Sequence, residues 1–493
     1  MVSNATCTKS SGKLQRAGRG PGIAASFPCR DFFSGVNLLL PEVRINHDVN
    51  CETDHLVYQR FPCEAKWCSL CKHSNDLDEF VDLPLVRRAY PFTLRIELMH
   101  ARVTRRDCLI YAGTGLTLSA VTLVESRRIA GQEAVAESGL IVRTETPFNA
   151  ESPLPKLVEH WLTPTSSFFV RNHGTSPRLE RNGFRLNVDG LVEEPLSLSL
   201  PELTERFAMS SSTATLTCSG NRRTEFNRIK KVPGVQWDAG AIGNAEWRGV
   251  RLSEVLKMAG FKSGAKHVWF EGLDQITDKG VTFPFGGSIP IEKALSDTPT
   301  APGCLLATMM NGKPLTGDHG FPLRAVVPGF IGARSVKWLS KITVSDQPSP
   351  NHYLAHAYKL ITEDTAAAMD AAPPIYEFLL NSIICSPASD VAIAGDLITV
   401  KGVALPSGRK GSQLKRVEVS TDSGETWSPA KITSPVRDFC WAHWSIDVPL
   451  APQTESIFVR AISTDDESQP RETPWNVKGY QNNGWHKLTL KRA

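Results

Sequence analysis

The run Thr215-Leu-Thr-Cys218-Ser-Gly220-Asn-Arg222-Arg223 concentrates the residue types from which a soft metal site can be built. It reads as a short strand that ends on a cysteine and breaks at Gly220, with two guanidinium groups following within five residues. A thiol at a strand end beside fixed positive charge tends towards thiolate, the soft ligand that a high-valent metal centre prefers. Alone, such a cysteine is as readily an inert buried thiol. Further segments on both sides give it weight. They bring imidazole, amide, guanidinium and ammonium groups suited to an anion or a phosphate-bearing cofactor.

The elements that would hold these groups are short. Residues 167–171 read as a strand entering a loop at Asn172-His173-Gly174, and residues 184–190 alternate as a strand into a turn. Residues 199–207 start on a serine cap, carry Pro201 near the start and predict a short helix, and residues 252–259 predict another. The remainder to about residue 345 is strand-rich, which makes this part α+β. Pro373-Pro374 and Ser386-Pro387 mark a change of texture. Beyond them, runs at 397–403, 414–420, 441–448 and 457–463, joined by Ser-Gly and Asp-Ser-Gly turns, predict an all-β sandwich. The expected organisation is an α+β domain over 150–370 and a sandwich over 371–493.

The full chain of 493 residues is long enough for two or three domains. Its net charge of +4 is too small to argue for a nucleic-acid partner. Six of the eleven cysteines precede residue 99, and the dispersed later ones do not form a disulfide framework. Cys63, Cys68 and Cys71 with His73 could in principle hold zinc, but zinc ligands usually come as two spaced couples. Residues 99–136 have the order of an export signal: Arg105-Arg106, a mildly apolar run over 109–124, and the small-residue end Ala134-Val135-Ala136. The arginine pair resembles a twin-arginine signal. Translation is therefore expected to begin at Met99, with residues 1–98 a non-native or disordered extension and the folded product delivered to the periplasm.

From about residue 160 several segments stand in a specific order and spacing. They are Phe168-Phe-Val-Arg171-Asn172-His173, Cys218-Ser-Gly-Asn-Arg-Arg223, Trp237-Asp-Ala-Gly-Ala-Ile-Gly-Asn, Phe270-Glu-Gly-Leu-Asp274, Asp318-His319-Gly-Phe-Pro-Leu-Arg324, Gly332-Ala-Arg-Ser335-Val-Lys337-Trp338 and Trp475-Asn-Val-Lys478-Gly. In these the chain resembles the sulfite oxidase family. Thr308 departs from a tyrosine usual in the family and reads as a packing change. The resemblance implies a molybdopterin-binding α+β domain followed by an immunoglobulin-like dimerisation domain, hence a homodimer. It implies a molybdenum–pyranopterin dithiolene cofactor with Cys218 as the protein's metal ligand. It assigns the pterin to Phe169, Val170, Arg171, Asn172, His173, Asp274, His319, Arg324, Ser335, Val336 and Lys337. It places Arg171, Arg223, Trp237, Tyr358 and Lys478 around the substrate. Lys478 stands where vertebrate-type members usually carry arginine, which keeps the charge and loses the fork.

The reaction this implies is oxidation of sulfite to sulfate. No Cys-x-x-Cys-His haem attachment motif is present, so the electrons are expected to pass to a separate acceptor such as a c-type cytochrome. A same-fold reductase of nitrate or a sulfoxide is the enzymatic alternative. A cofactor-free exported binding protein is the alternative of another class, and the intact Cys218 with its cations speaks against it.

Overall fold

The computed structural model describes residues 139–297, 303–389, 392–393 and 395–492. The chain divides into two units, Met1–His100 and Ala101–Ala493, and every described residue lies in the second. The N-terminal extension, its cysteine cluster and the export signal lie outside the described residues.

The first half of the described chain is built on two five-stranded sheets. In one, Met209–Thr217 pairs antiparallel with Ile242–Arg251, and that strand with Leu305–Met310. Leu305–Met310 also pairs with Lys313–Pro314 and with Arg324–Val326. The other sheet runs in the order Leu196–Ser199, Arg185–Gly190, Leu339–Ser345, His267–Asp278, Val281–Pro290. There Arg185–Gly190 and Leu339–Ser345 are parallel, and the remaining neighbours are antiparallel.

Strand alternation decides where Cys218 points. Ala214 and Leu216 enter a buried cluster with Phe168, Trp237 and Trp247, and Cys218, on the same parity just past the strand end, joins them. Thr215 serves the opposite face: its N–H donates to Phe439 O at 2.9 Å, and its Oγ1 accepts from Trp441 N at 2.8 Å.

Two helices form where cap and periodicity place them. Leu200–Arg206 starts in a capping box, Ser199 Oγ accepting from Glu202 N at 3.3 Å while the Glu202 carboxylate accepts from Ser199 N at 2.8 Å. Leu252–Ala259 buries Leu252, Val255, Leu256 and Ala259 at three- and four-residue spacing and ends at Gly260, φ 65°. The expected strand at residues 167–171 is absent. Instead, a 3-10 turn at Thr165–Ser167 leads into extended chain with one bridge, Val170 to Ala150. The cause is that Phe168 and Phe169 are both buried, rings 5.2 Å apart, and consecutive inward residues break a two-residue period.

The second half is a seven-stranded antiparallel sandwich. Its order is Asn381–Ser386, Leu397–Leu405, Ala442–Pro449, Ser428–Ile432, Leu414–Ser420, Ser456–Ser463, His486–Thr489. It has its own core around Trp444, Val417 and Val459. Other sandwich residues, Ile383, Val403, Leu405 and Trp441, belong to the core of the first half. Trp161 and Trp441 exchange indole N–H bonds to each other's carbonyls, at 3.1 and 3.0 Å. Among the described residues no helix is long and apolar enough to cross a membrane.

Arg222 pins the two halves together. It adopts φ 65° and its side chain is fully buried. Its guanidinium donates to both oxygens of Glu225 (2.7 and 2.9 Å), to Asn381 Oδ1 (2.8 Å) and to Gly484 O (2.8 Å). Burial pulls the Glu225 carboxyl upward, but the Arg222 charge and hydrogen bonds outweigh it and hold it below its ordinary value. Removing the cation would leave the part-buried Glu225 carboxylate only its longer contacts with Arg228 and Asn482, both at 3.4 Å, and would take the donor away from Asn381 Oδ1 and Gly484 O. Arg222→Ala is therefore expected to cost about 3–5 kcal/mol of unfolding free energy, measured by urea denaturation; a loss below about 1 kcal/mol would refute the role of this pin.

Candidate active site

A cleft of about 700 Å³, counting its open mouth, lies between the two sheets where the cysteine strand ends. Phe169, Arg171, Asn172, His173, Cys218, Asp274, His319, Arg324, Ser335, Lys337 and Tyr358 all line it. Among the described residues Cys218 is the only thiol on its wall; Cys304, Cys385 and Cys440 are free and buried elsewhere.

The cations of the wall are held mainly by carbonyl oxygens. Arg324 is buried and donates to His319 O and Ser335 O, both at 3.0 Å, and burial pulls it down to about 9. Its guanidinium lies 4.8 Å from the Trp247 ring centroid. Lys337 donates to Asp318 O at 2.7 Å and to Asn172 Oδ1; burial first, then Arg324, pull its ammonium down to about 7. Asn172 in turn donates to Phe148 O at 2.9 Å and to Ser176 Oγ at 3.1 Å, and Ser176 donates to Asp318 Oδ1 at 2.7 Å. Arg171 donates to Asn149 Oδ1 at 3.2 Å and to Asn172 O.

The histidines are kept neutral. Burial, then Arg171 and Lys337, hold His173 well below its ordinary value. His319 is pulled down to about 3 by burial, then by Lys337 and Arg324. His319 Nδ1 lies 2.7 Å from Thr316 Oγ1, and its buried Nε2 has no partner. Asp274 Oδ1 is likewise buried without a partner, and burial lifts the carboxyl to about 6 against the opposing pull of Lys337.

Tyr358 also lines the cleft. Its hydroxyl lies 3.0 Å from His173 Nε2, and the backbone is left-handed at φ 52°. Burial pushes the phenol well above its usual range, so it stays protonated. Behind it Arg334, fully buried, donates to Ile375 O and Tyr353 O and lies 5.7 Å from the Tyr358 ring centroid.

Five residues expected at the site stand off its wall. Val170 makes the bridge to Ala150, and Val336 is buried with its carbonyl accepting from Ala325 N. Trp237 is fully buried in the cluster around Cys218, its indole N–H without a partner. Arg223 lies in a slot where a Cβ on Gly220, Gly234 or Gly479 would come within 2.5, 2.7 or 2.9 Å of its side chain. It donates to Val235 O at 2.8 Å and, across the domain boundary, to Lys478 O at 3.1 Å. Lys478 itself is part-exposed, its Nζ 3.7 Å from Asp364 Oδ1. The wall also includes Phe168, Phe285, Asp318 and Trp338. Asp318 and Trp338 belong to segments conspicuous in the sequence; Phe285 carries no local signal.

The donor set fits a molybdopterin. A thiol converges with Arg324 and Lys337, neither in an ion pair among the described residues, while Asp274 Oδ1 and His319 Nε2 wait for hydrogen bonds that a heterocycle can complete. Cys218 would be the metal ligand, and Lys337, Arg324, Asp274 and His319 would hold the organic part and its phosphate.

Comparison with known proteins agrees with this chemistry. Residues 173–353 match the oxidoreductase molybdopterin-binding domain family and residues 372–493 the Mo-co oxidoreductase dimerisation domain family. Sulfite oxidase of Gallus gallus is 42% identical over 363 residues, covering 71% of this chain and 77% of that one. An NADH nitrate reductase of Ulva prolifera is 38% identical over 370 residues, 70% of this chain and 42% of its own length. The crystal structure of the sulfane dehydrogenase SoxCD from Paracoccus pantotrophus superposes with TM-score 0.59 and 27% identity, over 71% of this chain and 88% of that one.

The Asp274 carboxyl yields a pH test on cofactor-free protein. Its folded value, about 6, exceeds its ordinary value of 3.8, so between these pH values the folded state binds more protons than the unfolded. Stability therefore falls as pH rises through that window and the penalty is complete above pH 6. Asp274→Asn is expected to be more stable than the parent by about 2 kcal/mol at pH 7.5 and no more stable at pH 3.5, by urea denaturation. An equal difference at both pH values would contradict the assignment.

Proposed function

From the premise that this chain belongs to the sulfite oxidase family, and is a molybdenum oxidoreductase of the molybdopterin type, we propose that it oxidises sulfite to sulfate. When bound, the molybdenum cofactor supplies oxygen-atom transfer and two-electron redox chemistry. In net terms sulfite gains one oxygen from water and releases two electrons and two protons. The observation that carries the reading is that Cys218, Arg171 and Tyr358 line one cleft, while Arg223 is bonded to the Lys478 carbonyl and lies against Tyr480, the ring stacked on Tyr358.

The chain's own groups have separate tasks. Arg171, Arg223 and Lys478 offset the charge of a small dianion as it loses water, and each such preorganised donor is worth about 3 kcal/mol. Tyr358, protonated and held by His173, offers a hydroxyl to a substrate oxygen and limits the space beside the thiol. Trp237 keeps the region behind Cys218 apolar. Phe169, Val170, Asn172, Ser335 and Val336 fix the loops from which the pterin-binding groups project.

The electrons leave one at a time for an external acceptor, for which a c-type cytochrome is the proposed class. The dimerisation domain supports a homodimer. Export by the twin-arginine route to the periplasm rests on Arg105-Arg106 and the run behind it. The likeness to a nitrate reductase favours one second reading, reduction of nitrate on the same centre.

Steady-state assays of the molybdenum-loaded protein with sulfite, nitrate and methionine sulfoxide test the reading. Sulfite turnover is expected to exceed both others. Cys218→Ser is expected to lower it by on the order of a hundredfold or more with an altered metal spectrum. Full activity in that variant, or preference for nitrate, would overturn the proposal. Lys478→Arg restores a forked donor and is expected to lower KM for sulfite several-fold, with kcat little changed.

A further inference from the structure

Two groups assigned above to the substrate, Arg223 and Tyr358, meet a third residue with no part yet in the reaction. Tyr480 follows Lys478 and Gly479 on the return from the sandwich. Its ring lies parallel to that of Tyr358, centroids 5.1 Å apart and planes within 16°. The Arg223 guanidinium carbon lies 5.3 Å from the Tyr480 ring centroid. Tyr480 is held firmly at its own backbone: its N–H donates to Asn476 Oδ1 and its carbonyl accepts from Asn476 Nδ2, both at 2.9 Å.

Arg223 forms no ion pair among the described residues, its bonds going to the carbonyls of Val235 and Lys478. A carboxylate would orient the guanidinium but would also neutralise it. An aromatic face orients the cation by its quadrupole and leaves the charge available to an anion. Tyr358 has a related need. Its left-handed backbone is uncommon for a bulky residue and is maintained by what surrounds it. Its ring has the Arg334 guanidinium 5.7 Å from its centroid and the parallel ring of Tyr480 at 5.1 Å.

We propose that Tyr480 is a positioning residue of the oxyanion pocket, through which the sandwich domain sets the orientation of Arg223 and Tyr358 and hence the affinity for substrate. The inference rests on the sulfite reading.

The test compares the loaded enzyme with Tyr480→Phe and Tyr480→Leu. Sulfite KM and kcat are measured together with the dissociation constant for sulfate, by calorimetry, and with molybdenum content and thermal midpoint. Tyr480→Leu is expected to raise KM for sulfite and the sulfate dissociation constant by about tenfold, with kcat changed less than about threefold and metal content unaltered. Tyr480→Phe, which keeps the ring, is expected to restore both affinities. Should Tyr480→Leu not accumulate as folded protein, Tyr480→Gln takes its place. Unchanged affinities in the non-aromatic variant, a loss confined to kcat or metal content, or equal damage from Tyr480→Phe would each overturn the proposal. Failure of the parent enzyme to oxidise sulfite would refute the sulfite reading instead, and the sulfate measurement would still decide the part played by Tyr480.

Discussion

Positive charge held in the cleft by neutral dipoles and not by ion pairs is the constraint on which this molecule is organised. Arg324 is buried and Lys337 half-buried, yet their hydrogen bonds go to carbonyl and amide oxygens. Dipoles satisfy donors without cancelling charge, so the cleft keeps a positive field and pays for it in desolvation. The same field and the same burial keep His173 and His319 neutral. An anionic cofactor would convert this liability into binding energy, and that explains why a fold would tolerate it.

The cleft is assembled from segments far apart in the chain. Cys218 comes from the end of one sheet's strand, and Asp274 from a strand of the other. His319 and Arg324 come from the turn and short strand beside Leu305–Met310, and Ser335 and Lys337 from the approach to Leu339–Ser345. Because these parts converge only through packing of the two sheets, the apolar clusters beneath them are as necessary to the site as the polar groups in it.

What could be read from the sequence follows this division. Local signals were sufficient for the helix capped at Ser199, the helix at Leu252–Ala259 and four of the seven strands of the sandwich, because cap chemistry and periodicity act within a few residues. They failed at residues 167–171, where two adjacent phenylalanines are drawn into one core. The site residues were legible through family resemblance, not through periodicity. Even so, the resemblance could not tell which of them face the cleft. Phe285 lines it with no sequence signal at all, and Arg334, plain in its motif, revealed its place under Tyr358 only in three dimensions.

Arg222 and Arg223 are neighbours with opposite loyalties. The left-handed turn at Arg222 sends the first guanidinium back to Asn381 and Gly484 of the sandwich, while the second lies under the carbonyl of Lys478. One peptide unit thus acts as a fulcrum. Any rocking of the sandwich must tug on the turn at one end and shift the roof over Arg223 at the other. If two copies associate through their sandwiches, a strain imposed at that distant contact has a short mechanical lever into each catalytic cleft.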